Sequence, residues 1–251
     1  MDRPPGCPRA CAASLWYRMR TLLLVGLIGY GASLHAQQVR EPKPDGRRLQ
    51  LGTDSLEVFI VRQRQWQRTG TIVDRLDTIR VGGELRLQRV YRRTDAVLGN
   101  GVDTLIDHFP DLAPRSAHSR SDDGGTELLA WSAGRITGTL DQPAKSTRSI
   151  DTTVAPSLYS SASFDLILRA SPLAEGYEIA VSAYSARRGA TMLTGKVIGT
   201  ELLAGLGDTW RVDANFGGIS VTFWIAKTSR RLIREIVRVS PEIEFVFAVA
   251  R

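Results

Sequence analysis

The feature that most constrains this chain is a period of two in its apolar residues. Leu56, Val58 and Ile60 alternate with Glu57, Phe59 and Val61, and Leu85, Leu87 and Tyr91 with Glu84, Arg86, Gln88 and Arg92. Trp210, Val212, Ala214 and Phe216 alternate with Arg211, Asp213 and Asn215, and Ile219, Val221, Phe223 and Ile225 with Ser220, Thr222, Trp224 and Ala226. Ile243, Phe245, Phe247 and Val249 continue the pattern near the end. Successive side chains of a strand point to opposite faces, so this alternation predicts strands with one face buried and one wet. Turn signals separate them at Gly82-Gly83, Gly99-Asn100-Gly101, Asp122-Asp123-Gly124-Gly125, Arg188-Gly189 and Gly217-Gly218, the last being the clearest hairpin. One segment departs from the period. Phe164, Ile167 and Leu168 fall at helical spacing after several serines, with Pro172 beyond, which predicts a helix over 158–170 that plugs or covers the sheet. About ten antiparallel strands and one helix imply a mainly β fold: a strongly curved antiparallel sheet, or an open or half barrel, with one short covering helix. A two-sheet sandwich is the competing architecture.

The N-terminus reads as an address. Arg18 and Arg20 precede an apolar run of 11 residues from Leu22 to Ala32, followed by Ser33-Leu34-His35-Ala36. This is the layout of a secretory signal peptide over 1–36, too short to span a bilayer, which takes about 18 or more apolar residues. Met19 is an alternative translation start. Residues 37–54, with Pro42, Pro44 and Gly46, read as a flexible lead-in. Residues 55–251 read as a single β-rich domain, not membrane-spanning once the signal is cleaved. The whole chain carries a net charge of +7; residues 1–36 account for +3 of it and hold both cysteines, Cys7 and Cys11. The expected mature protein is therefore periplasmic or secreted, cysteine-free and only mildly basic.

Of the 33 basic residues, 29 are arginines, scattered among acids at Arg62, Arg64, Arg86, Arg89, Arg92, Arg231, Arg234 and Arg238. Alternation places most of them on a solvated sheet face. A nucleic-acid groove would need a basic stripe interleaved with aromatics, so no nucleic-acid partner is expected. Catalytic groups are few. His108 and His118 show no metal-ligand spacing, no nucleophile elbow occurs, and no cofactor or metal is expected. His108 reads as a surface histidine, because its neighbour Asp107 points to the other face of a strand. Asp122 and Asp123 read as turn residues, and Glu242 and Glu244 as cross-strand partners of Arg234 and Arg238. Glu201 reads as inward-facing, with Arg169 as a candidate partner. Trp66, Trp131, Trp210 and Trp224 either pack a core or line an apolar cavity.

Several of these residues also carry a resemblance. Phe164-Asp165-Leu166 with Arg169, Ser171-Pro172-Leu173 with Gly176, Gly199-Thr200-Glu201, Gly207-Asp208-Thr209-Trp210 and Phe223-Trp224-Ile225 follow one another in the order seen in the bacterial domain-of-unknown-function family numbered 3108, which this chain resembles. The resemblance implies an exported, β-rich protein, similar in outline to periplasmic carriers that hold acyl chains in a half-barrel. It brings no catalytic residues with it. The expected function is that of a non-enzymatic envelope protein binding a lipid or other apolar molecule in its curved sheet, with Trp210, Phe223, Trp224, Arg169 and Glu201 as ligand-binding candidates. Two alternatives remain: a structural or protein-interaction module meeting an envelope protein partner, and a hydrolase using carboxylates.

Overall fold

The computed structural model describes residues 43–143 and 145–250. The signal peptide expected over 1–36, the alternative start at Met19 and the first part of the 37–54 lead-in lie outside the described residues. Eight strands form the first run: β1 (Gly52–Arg62), β2 (Gln65–Val81), β3 (Glu84–Asp95), β4 (Gly101–His108), β5 (Pro114–Ser121), β6 (Thr126–Ser132), β7 (Arg135–Asp141) and β8 (Arg148–Thr153). A two-residue strand, β9 (Tyr159–Ser160), leads into a helix, α1 (Phe164–Ala170). Six strands follow: β10 (Glu178–Ser185), β11 (Gly189–Leu203), β12 (Gly207–Phe216), β13 (Ile219–Ala226), β14 (Leu232–Ser240) and β15 (Ile243–Val249).

All fifteen strands belong to one sheet, in the order β8-β7-β6-β5-β4-β3-β2-β1-β15-β14-β13-β12-β11-β10-β9. Each run is a simple meander, and the two join where the first strand pairs with the last, with Val58 opposite Phe247. Every pairing is antiparallel except that of β9 with β10. The sheet is therefore mainly β, mixed at one edge, and not closed into a barrel: its ends are β8 and β9. Curvature still brings the ends together. Leu158, Tyr184 and Ala186 pack in one cluster with Leu129, Ile136, Leu140 and Ile150. Hydrogen-bonded closure fails because β9 contributes only two residues before the chain turns into the interior.

That turn creates the plug. Ser160 caps a 3-10 turn at Ser161–Ser163, and α1 follows directly. Six of its seven residues, all but Asp165, are buried. Phe164, Leu166, Ile167 and Leu168 share a core with Val58, Ile72, Leu87, Val212, Phe223 and Phe247, so both runs of strands close around the helix. The helix is shorter than the predicted 158–170 because Leu158 packs elsewhere and Tyr159–Ser160 pair with Ala183 and Tyr184. It stops at Ser171, ahead of Pro172, which cannot continue it.

Among the described residues the strands number fifteen rather than about ten. The alternation read from the sequence falls on β1, β3, β12, β13 and β15; β5, by contrast, carries little apolar alternation and is held as a strand by pairing on both sides. The Gly217-Gly218 hairpin forms as predicted, with both glycines at positive φ, 58° and 99°. Part of the lead-in is anchored. Asp45 caps a 3-10 turn at Gly46–Arg48, its amide donates to the Ala170 carbonyl at 3.1 Å, and Leu49 is buried in the main core. Among the described residues no helix is long and apolar enough to cross a membrane.

Candidate functional site

Around α1, charged groups converge on the inward face of the sheet. Arg89 on β3 is 5% exposed and Asp74 on β2 is 5% exposed. Nε and Nη2 of Arg89 each donate to an Asp74 carboxylate oxygen at 2.8 Å. Nη1 donates to Oδ1 of Asp165 on α1 at 2.7 Å. Arg169, one helical turn further along and fully buried, places its Nη1 at 3.5 Å from Asp165 and 3.9 Å from Asp74. Its Nε donates to the carbonyl of Arg230 at 2.7 Å, a residue held at positive φ (58°) in the turn between β13 and β14. Two guanidiniums and two carboxylates thus tie the helix to β2, β3 and that turn. Burial works against the Arg89 charge, but Asp165 and Asp74 outweigh it and hold the guanidinium well above its ordinary value. Burial dominates at Arg169 and pulls it down.

Beside this cluster lies a cavity of about 190 Å³. Phe164 of α1 meets Phe216 of β12 edge-on at 4.8 Å and Phe223 of β13 at 6.4 Å, and the two strand phenylalanines are 6.2 Å apart. These rings and Leu105 form the apolar walls, while Arg89, Tyr91, Asp103, Asp165 and Glu235 supply polar groups. Glu235 projects inward from β14, opposite Phe223 and Phe247. Burial, with help from Asp165, pushes its carboxyl up to about 8, Arg89 offsetting only part of this. It is therefore mostly protonated at neutral pH. Burial also raises the Tyr91 phenol. Asp107, 2% exposed on β4, accepts from Ser163 Oγ at 3.1 Å, and burial pushes its carboxyl up to about 7.

Such a site can hold a small, partly apolar molecule and exchange a proton with it. A protonated Glu235 alone does not make a carboxylate pair of the hydrolytic kind. Asp165 is ion-paired to Arg89 and Arg169, and Asp103 accepts from Ser119. Among the described residues no cluster of three or more His, Cys, Asp or Glu side chains could hold a metal ion.

The structure disperses the five residues singled out from sequence. Phe223 lines the cavity and Arg169 lies in the ion cluster behind it. Trp210 faces inward but packs against the main core away from the cavity, with Lys227 Nζ 4.4 Å above its ring. Trp224 and Glu201 lie on the other sheet face, where Trp224 Nε1 donates to Glu201 at 2.7 Å and Arg211 and Arg234 flank the indole. Glu201 is therefore not the partner of Arg169. The expected Glu244–Arg238 pair forms at 2.7 Å, whereas Arg234 stacks on Trp224. His108 contacts Asp111 rather than Asp107, at 2.7 Å.

Sequence reasoning passed over Asp74, Tyr91, Asp107 and Glu235 as site residues and assigned Arg89 to the wet face. The signal was present in the phase. Arg89 stands between Leu87 and Tyr91, and Asp74 between Ile72 and Leu76. Asp107 follows Leu105 by two, and Glu235 precedes Val237 by two. Each is a charge at an inward position, which a fold tolerates only when the charge is paired or neutralised.

No curated protein matches this chain. Among solved structures, a β-barrel-like protein of the domain-of-unknown-function family DUF1849 from Brucella abortus superposes with a TM-score of 0.47 at 10% identity, covering 81% of this chain and 97% of that one. The family described as protein of unknown function (DUF3108) matches residues 58–246, and the chain belongs to that family.

Proposed function

We propose that this is an exported, non-enzymatic protein of the cell envelope that binds a lipid or other apolar molecule by seating one small end of it beside α1. The observation that carries the reading is the cavity of about 190 Å³ walled by Phe164, Phe216, Phe223 and Leu105. Apolar cavities of about 150 Å³ admit a benzene-sized guest. Pockets for larger ligands run to roughly 300–1,000 Å³, so this one suits a ring or a short stem rather than a whole acyl chain. Export is supported by the charged and apolar segments of residues 1–36.

Native mass spectrometry of the full chain, purified without detergent from the cell envelope, tests the reading. A small apolar molecule should co-purify with the wild type and be lost in Ala162→Phe, which fills the cavity from an exposed lining position. Recovery from the cytoplasm alone, or equal retention of the molecule by Ala162→Phe, would refute it.

A further inference from the structure

The polar side of the cavity carries a charge imbalance that defines the ligand's chemistry. Arg89 and Arg169 are matched by Asp74 and Asp165, two positive against two negative. Arg89 has committed donors on all three nitrogens, to Asp74 through Nε and Nη2 and to Asp165 through Nη1. An anion entering the cavity would find every nitrogen of the nearest guanidinium already bonded and three carboxyl groups, those of Asp103, Asp165 and Glu235, in the walls. Glu235 is the unmatched group: it lines the cavity and has no hydrogen-bond or ion-pair partner among the described residues. Tyr91, also in the wall, directs its ring at Arg89, 5.0 Å away, and its hydroxyl likewise has no such partner. Three phenylalanines complete the surround, and aromatic faces attract cations, ammonium groups especially.

Resting on the reading of this cavity as the binding site, we propose that it selects a ligand bearing an ammonium group on a short apolar stem, with Glu235 as the counter-charge and Phe164, Phe216, Phe223 and Tyr91 as the aromatic surround. The charged and titratable groups around Glu235 are Asp165 and Arg89, whose charges act on it, Tyr91 and Asp103 in the same cavity lining, and Asp74 and Arg169, which are ion-paired within the Arg89 cluster. Without ligand, burial and Asp165 keep Glu235 protonated near neutral pH. A bound ammonium stabilises the carboxylate, so Glu235 gives its proton to solvent while the ligand keeps its own charge. Binding should therefore release up to one proton. The same chemistry is offered by a free amine and by the ammonium of a zwitterionic lipid headgroup.

Calorimetry on the full chain at pH 7 with three probes of one shape tests this: benzylammonium, benzyl alcohol and benzoate. Benzylammonium should bind at least about tenfold more tightly than the other two, the scale of one charge-assisted contact. Its binding should release protons, read from titrations in buffers of different ionisation enthalpy. Glu235→Gln, isosteric with the protonated acid, should abolish both the preference and the proton release, bringing benzylammonium binding down to the level of benzyl alcohol. Competition by a zwitterionic lysolipid below its micellar concentration would identify a lipid headgroup as the natural source, and its absence a free amine. If benzyl alcohol or benzoate binds as tightly as benzylammonium, and Ala162→Phe blocks it, the cavity is a binding site and the ammonium assignment is wrong. If no probe binds, the cavity reading fails together with it.

Discussion

Asp107→Asn should raise stability above about pH 4, by an amount that grows up to about pH 7. Asp107 is 2% exposed, one of its oxygens accepts from Ser163, and the other has no hydrogen-bond partner. Burial moves its carboxyl from the ordinary 3.8 to about 7. The unfolded chain therefore loses this proton from about pH 4, while the folded chain holds it to about pH 7. Between those limits the unfolded state binds fewer protons, so stability falls as pH rises. Each pH unit in that window is worth about 1.4 kcal/mol, which makes the full effect about 4 kcal/mol, an upper figure for a group in a mixed-charge interior. Asparagine presents a similar shape, can still accept from Ser163 and has no proton to lose. The advantage of the variant should be near zero at pH 4, grow through pH 5 and 6, and level off above pH 7. Urea titrations followed by tryptophan fluorescence would show this as a midpoint increase of about 2 M at pH 7.5, for a slope of about 2 kcal/mol per molar. Glu235 titrates in the same sense but is common to both proteins and cancels in the difference. A difference that stays flat from pH 4 to pH 8, or a variant less stable at pH 7.5, would mean that Arg89 keeps Asp107 ionised and would refute the reasoning.

Arg89→Met removes the main partner of both Asp74 and Asp165 and leaves the buried Asp74 and partly buried Asp165 carboxylates facing only Arg169 at 3.5 Å or more. It should cost about 3–5 kcal/mol, read by thermal unfolding, and adding Asp74→Asn should restore part of the loss. Gly70→Ala should be costly without altering any charge. A Cβ there would stand 2.2 Å from the Thr94 carbonyl oxygen and 2.6 Å from Asp95 Cα, so β2 and β3 must separate. About 1–3 kcal/mol of destabilisation is expected, with faster amide exchange along the β2–β3 ladder, and a variant as stable as the wild type would contradict the close approach.

The sequence by itself determined the secondary-structure class and much of the inner face. Leu56, Val58 and Ile60, or Val221, Phe223 and Ile225, announce their burial through a period of two, because successive side chains of a strand point to opposite faces and the inner face takes every second one. The Gly217-Gly218 hairpin and the stop at Pro172 were legible for a similar reason: both depend on backbone preferences of the residues themselves. What only the tertiary structure decided was which strands meet and what the inner face encloses. β5 and β7 are strands because their neighbours supply hydrogen bonds, not because their own residues demand it. The pairing of β1 with β15 joins residues nearly two hundred positions apart. The cavity needs β3 and β4 on one side, β12 to β14 on the other and α1 between them. Arg89, Asp74, Asp107 and Glu235 stood in inward phase in the sequence, but phase says only that a charge points inward. Whether it meets an opposite charge, takes up a proton or waits unmatched depends on distances across the fold, and electrostatic energy in a buried site is set by those distances and by the exclusion of water.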